Sequence, residues 1–241
     1  MATATPLEAP IPRPGGERRL YTLGAIAAIA IVFAGFAPTF YLKGVFAGPD
    51  LTTLKIVHGF VMTAWFALFL VQVRLVAAGR TMTHRKLGLL GIALAVAVVA
   101  VGLGAGIASA RAGVTPLPEL PPLAFLIMPV AEMVVFATLF TAAIALRRRS
   151  AWHKRFMLVA SIAMLAPALA RMPFIRDGGP PAFFALIDLA ILACIAYDWM
   201  KNRRVHPAFL VALGVVIAGQ AGRVVIMKTP EWMAFATWLV S

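Results

Sequence analysis

From Leu20 almost to the C-terminus, apolar residues run in blocks of roughly 20, broken by short polar links. Each block is long enough to cross a hydrocarbon core about 30 Å thick. Blocks of this length satisfy their backbone in lipid only as helices, so strands are excluded. The pattern predicts an all-α integral membrane bundle of seven transmembrane helices, at about 20–42, 54–77, 86–110, 122–146, 155–175, 182–200 and 207–227. It divides the chain into a disordered cytoplasmic tail over 1–19, a seven-helix domain over 20–227, and an interfacial C-terminal helix over 228–241. In that last piece Thr229 and Pro230 give a helix start and two tryptophans give interfacial anchors.

The links differ in charge. "AGRTMTHRK", "LRRRSAWHKR" and "MKNRRVHP", after spans two, four and six, are dense in Arg and Lys. "RAGVTPLPELPP" and "RDGGPP", after spans three and five, are rich in Pro and Gly and carry few cations. The positive-inside rule then puts the N-terminus and the dense links in the cytoplasm and, with an odd number of spans, the C-terminus outside. Spans 2–3, 4–5 and 6–7 form hairpins around basic turns, following a first helix that stands alone. In span three, Gly102 and Gly106 make a small-xxx-small step suited to close helix packing.

Composition agrees. Of 241 residues, 62% are hydrophobic and 13% charged, with a mean hydropathy of +0.92; soluble domains carry about 25% charged residues. The net charge of +13 sits in the links rather than in a soluble basic patch, which argues for anionic lipid at the cytoplasmic face and against nucleic acid. The single cysteine, Cys194, excludes an internal disulfide framework and a CxxC site.

A lone polar residue inside a span is informative, because a charge at the bilayer centre costs about 2.5–3.5 kcal/mol on insertion scales. On span two, His58, Trp65 and Gln72 are spaced by seven and share one face. Spans four to seven add Glu132, Arg171, Asp188, Gln220 and Arg223. At about 1.5 Å per residue, His58, Arg171 and Arg223 lie toward the outer rim, Asp188 and Gln220 deeper, and Glu132 near the midplane. These eight residues are the candidate ligand site: a polar pocket open to the outside, its two acids pairing Arg171 and Arg223. Trp65 has the competing reading of an ordinary core side chain, and the ion pairs that of fixing helix register.

A second cluster lies at the opposite face, where His84, His153 and His206 begin helices and Asp198 ends the one before His206. Three imidazoles and a carboxylate are a possible metal set. They stand on separate helices, however, and Arg85, Lys86, Lys154 and Arg155 repel a cation and suit lipid phosphate instead. A bis-histidine haem would need a facing imidazole at the depth of His58, and only the inner trio offers a pair. Neither metal nor haem is favoured as a cofactor. Ser109, Ser150 and Ser161 lack His–Asp spacing for a triad, and "GLGAG" lies within a span, so no enzyme class is indicated.

The stretches "TFYLKGVF", "VHGFVMTAWFALFLVQ", "THRKLG", "WHKRFMLVA", "YDWMKNRRVHP" and "TPEWMAFATWL", with Gln220 and Arg223, carry a resemblance. Together they resemble a family of bacterial, mostly proteobacterial, seven-helix membrane proteins without an assigned activity. The resemblance implies a fold and an inner-membrane location, and no reaction. Ala221 stands where related sequences often have proline. The expected function is binding, sensing or passage of a small solute or proton through the outward-facing pocket. The alternatives are a haem- or metal-binding redox protein or assembly factor, and a structural subunit of a larger complex.

Overall fold

A computed structural model describes residues 14–117 and 119–241. Among them there are helices and no strands. Six are long and apolar enough to cross a membrane. The expected tail over residues 1–13 lies outside the described residues, and α1 (Pro14–Phe36) begins within the stretch expected to be tail.

Proline and glycine set the element ends. Pro38 has no N–H to donate, and α1 passes into a wider turn in which Leu42 N–H reaches the Ala37 carbonyl at 2.8 Å. Thr52 caps α2 (Thr53–Ala77) by accepting from Lys55 N–H. The α2–α3 turn needs the left-handed conformation of Gly79, at φ 75°. Helix α3 (Thr81–Arg111) is followed by α4 (Pro122–Phe125) and α5 (Ile127–Ala145).

The fifth expected span is not one helix. It divides into α6 (Ser150–Ala163), α7 (Ala166–Leu169) and α8 (Pro173–Arg176). Pro167 and Pro173 each remove a backbone donor and disfavour helix at the residue before them. The chain ends with α9 (Gly179–Asn202), α10 (Pro207–Ile226) and α11 (Pro230–Val240).

Packing sorts these elements. Helices α2 and α3, α5 and α6, and α9 and α10 lie on one another as hairpins. Helix α5 is central: the span it forms with α4, Pro122–Ala145, has half of its apolar window buried, against 17% for α2 and α3. Phe136 and Leu139 of α5, Leu158 of α6 and Phe209 of α10 are fully enclosed. Gly102 and Gly106 both press on α5, where an added Cβ would crowd Met133 and Pro129. The perimeter is apolar instead of polar, with Leu23, Phe60, Leu89, Val96, Leu189 and Val225 all exposed. Exposed apolar surface on this scale is consistent with a multi-pass membrane protein.

The three basic turns meet at one end of the bundle. The His84 and His153 rings lie 6.2 Å apart, and Trp152 stacks edge-on against His206 at 5.3 Å. The other end carries the 42–52 loop, residues 112–117 and 119–121, and α11. There Trp232 donates to the Leu123 carbonyl at 2.9 Å, and Arg111 donates to the Val240 carbonyl at 2.8 Å. We call these the arginine-rich end and the loop end.

Candidate functional site

A cavity of about 430 Å³ opens between α1, α2, α3, α5 and α7, beneath the loop end. It falls within the roughly 300–1,000 Å³ range of small-molecule sites. Of the eight residues expected to form a pocket, His58, Glu132 and Arg171 line it. The rest of the wall is mainly apolar, including Phe36, Met62, Phe66, Leu126 and Met133, so the expected polar pocket is an apolar cavity with a few polar groups.

Each of those three groups is held by local structure. His58 turns its Nδ1 toward the Val101 carbonyl at 3.4 Å, across the α2–α3 hairpin. Glu132 is buried, and Arg223 donates to its Oε2 at 2.7 Å; Glu132 Oε1 has no protein partner among the described residues. The Arg223 guanidinium also lies over the Phe184 ring at 5.2 Å. A low-dielectric interior admits two such charges only together.

Arg171 owes its position to the broken helix. Its backbone N–H bonds to the Ala168 carbonyl at 3.2 Å, three residues back, instead of to Pro167. The Pro167 carbonyl is thereby freed and accepts from Arg171 Nη1 at 2.6 Å. Phe36 of α1 lies under the guanidinium at 4.4 Å, so its plane is set from two sides.

The remaining five residues lie elsewhere. Trp65 is a core side chain, edge-on to Phe136 at 4.9 Å and to Phe140 at 5.7 Å. Among the described residues Asp188 pairs no arginine; its Oδ1 accepts from Gln220 Nε2 at 3.0 Å, which ties α9 to α10 away from the cavity. Arg223 reaches Glu132 from behind the wall. Gln72 belongs to the opposite end altogether. With its amide oriented to satisfy both atoms, it donates to His84 Nδ1 at 2.7 Å and accepts from Gly88 N–H at 3.1 Å.

The arginine-rich end holds a second polar cluster. Arg155, expected only to repel a cation, forms a buried ion pair with Asp198 at 2.6 Å. The same carboxylate accepts from Asn202 at 2.9 Å and from the His206 N–H at 2.9 Å, which pins the α9–α10 turn. His206 Nδ1 in turn accepts from Ala208 N–H and caps α10. His206 lies below the ordinary imidazole range, chiefly because burial disfavours its charged form and then because of Arg155. His153 Nδ1 contacts the Ala143 carbonyl at 2.9 Å. Asp198 is thus committed to Arg155 and two further donors. Among the described residues no three His, Cys, Asp or Glu side chains converge as a metal site, the possible set of His84, His153, His206 and Asp198 included.

Sequence reasoning passed over Tyr41 and Lys55, which also line the cavity. Tyr41 meets Thr63 at 2.7 Å and stacks on Phe33 at 5.2 Å, which closes the α1 side of the wall. Pro38, two and three residues before Phe40 and Tyr41, was the available signal, since a proline within an apolar run removes a backbone donor and distorts the helix there. No family model, curated protein or solved structure matches the chain, so the functional conclusion rests on residues and geometry.

Proposed function

We propose that this is a bacterial inner-membrane protein whose bundle crosses the bilayer seven times, α6 to α8 acting as one broken crossing. The N-terminus and the arginine-rich end face the cytoplasm, beside anionic lipid, and the loop end and C-terminus face outside. Support for the orientation comes from Arg147, Arg148, Arg149, Arg203 and Arg204 in the turns at that one end, and from Lys201 in the last turn of α9. The function is non-enzymatic: the loop-end cavity binds a small molecule, as a receptor or as a station for its passage.

The observation that carries this is the cavity of about 430 Å³ with His58, Glu132 and Arg171 in an otherwise mostly apolar wall. An apolar cleft with a few convergent polar groups is the general form of a ligand site. Native mass spectrometry of the purified protein tests it. A retained small molecule should be lost in Ala105→Phe, which fills the cavity, and kept in Val225→Phe on the exposed surface. Equal retention in both would reject the proposal.

A second reading, haem or metal at the arginine-rich end, is favoured by one observation: the His84 and His153 rings meet edge-on at 6.2 Å. Two imidazoles are fewer ligands than a tetrahedral metal site takes, and the committed Asp198 supplies none. A Soret band or stoichiometric metal that is lost in both His84→Gln and His153→Gln would establish it.

A further inference from the structure

The cavity carries unbalanced charge. Among the described residues its lining holds one carboxylate, Glu132, already neutralised by Arg223. It also holds two cations, Arg171 and Lys55, and neither has a carboxylate within ion-pair reach among the described residues. Asp50, the acid nearest Lys55 in sequence, is occupied by Lys43 at 2.8 Å.

Arg171 is the more telling of the two. Its guanidinium is fixed by the Pro167 carbonyl at one nitrogen and by the Phe36 ring on one face. A guanidinium has five N–H donors, so four remain. Fixing the fork in advance lowers the entropy lost when a partner arrives. The same lining supplies Phe36, Met62, Phe66, Leu126, Pro129 and Met133 as an apolar wall.

We infer that the occupant of the cavity is a single-chain anionic amphiphile, with its carboxylate on the Arg171 guanidinium and its chain against that apolar wall. This rests on the proposal that the cavity is a ligand site, and it names the chemical class. A carboxylate matches the planar guanidinium through two parallel hydrogen bonds. It also supplies the counter-charge that the lining lacks. The chain accounts for the wall, which a small hydrophilic anion would leave unused. About 430 Å³ lies in the lower part of the range for small-molecule sites, which suits one chain and not a two-chain phospholipid. Lys55, on the first turn of α2 and exposed, adds attraction at the cavity margin.

The test is calorimetric binding to the full chain in uncharged detergent, at pH 8, with dodecanoate, 1-dodecanol and a two-chain phosphatidylglycerol as probes. Dodecanoate should bind roughly tenfold or more tightly than the alcohol, the usual scale for a charge-assisted hydrogen bond. Arg171→Gln should remove that difference, Arg171→Lys should keep part of it, and Ala105→Phe should abolish binding. Thermal melting of each variant shows that it is folded, and Arg171→Lys keeps the test decisive if Arg171→Gln fails to fold.

Equal affinity for the alcohol, still abolished by Ala105→Phe, overturns the anionic assignment and leaves the cavity as a ligand site. Phosphatidylglycerol that displaces dodecanoate at equal concentration overturns the single-chain assignment. Binding that Ala105→Phe does not change overturns the cavity as the site as well.

Discussion

Arg223 of α10 donates to Glu132 Oε2 of α5 across 2.7 Å, and both side chains are buried. This pair joins the central helix to the last long one, and Glu132 sits in the cavity wall. Removing one partner of a buried pair strands the other charge, which costs about 3–5 kcal/mol. Replacing both with apolar residues of similar size is close to neutral. We therefore expect Glu132→Gln and Arg223→Gln each to lower thermal stability strongly, and Glu132→Met/Arg223→Leu to recover most of the loss. Melting curves of the four proteins in one detergent measure this. Additive losses in the double variant would show that the two charges do not act as a pair.

Helix α1 approaches α7 so closely that a Cβ on Gly35 would overlap the Ala168 carbonyl. Backbone on both sides cannot yield as a flexible side chain does. Gly35→Ala should destabilise by about 1–3 kcal/mol, as overpacking does. Gly44→Ala, where no atom lies within 4 Å, should stay within about 0.5 kcal/mol of the parent. Similar midpoints for the two variants would show that the approach is looser than described.

His206 provides a pH response at the arginine-rich end. Its folded-state affinity for protons is lowered below the ordinary imidazole value of 6.5, first by burial and then by Arg155. The unfolded chain thus binds the proton first as pH falls through 6.5, and stability declines from there down to the folded-state titration. Protonation at Nδ1 would also end its acceptance from Ala208 N–H. His206→Asn keeps a capping acceptor and removes the titration. Melting temperatures between pH 8 and pH 5 should therefore fall less in His206→Asn than in the parent. An unchanged slope would place the acid sensitivity elsewhere.

The orientation is open to direct chemistry. In a Cys194→Ala background, a cysteine at Arg148 should react with a membrane-impermeant maleimide only after the cell is opened. One at Phe174, which is 97% exposed, should react in intact spheroplasts. The reverse pattern would invert the bundle.

Much of this arrangement was legible in the residue pattern, and the exceptions have physical causes. Lone polar residues in apolar runs led to His58 and Glu132, because solvation cost forces such groups inward, and also to Arg171, which lines the cavity while remaining exposed. Spacing by seven placed Gln72 on the face of His58 correctly in angle but not in depth. Fourteen residues of helix advance it about 21 Å, to the opposite end, where it meets His84. Partner choice was equally hidden. Two acids and two arginines suggested two ion pairs, yet the fold pairs Asp188 with Gln220 and leaves Arg171 facing the cavity. The break in the fifth run was visible as Pro167 and Pro173 but was outweighed by the continuity of apolar residues around them. That break frees the Pro167 carbonyl and so positions Arg171, which is why it matters for the site.

The measurement that tests the central claim most directly is a crystal structure of the protein grown in a lipidic mesophase containing dodecanoate. Elongated density in the cavity, with its carboxylate end against Arg171 and its chain running past Met62 and Met133, is the expected result. A collapsed cavity, with Arg171 turned out of it and no density between α2, α3 and α5, would contradict it.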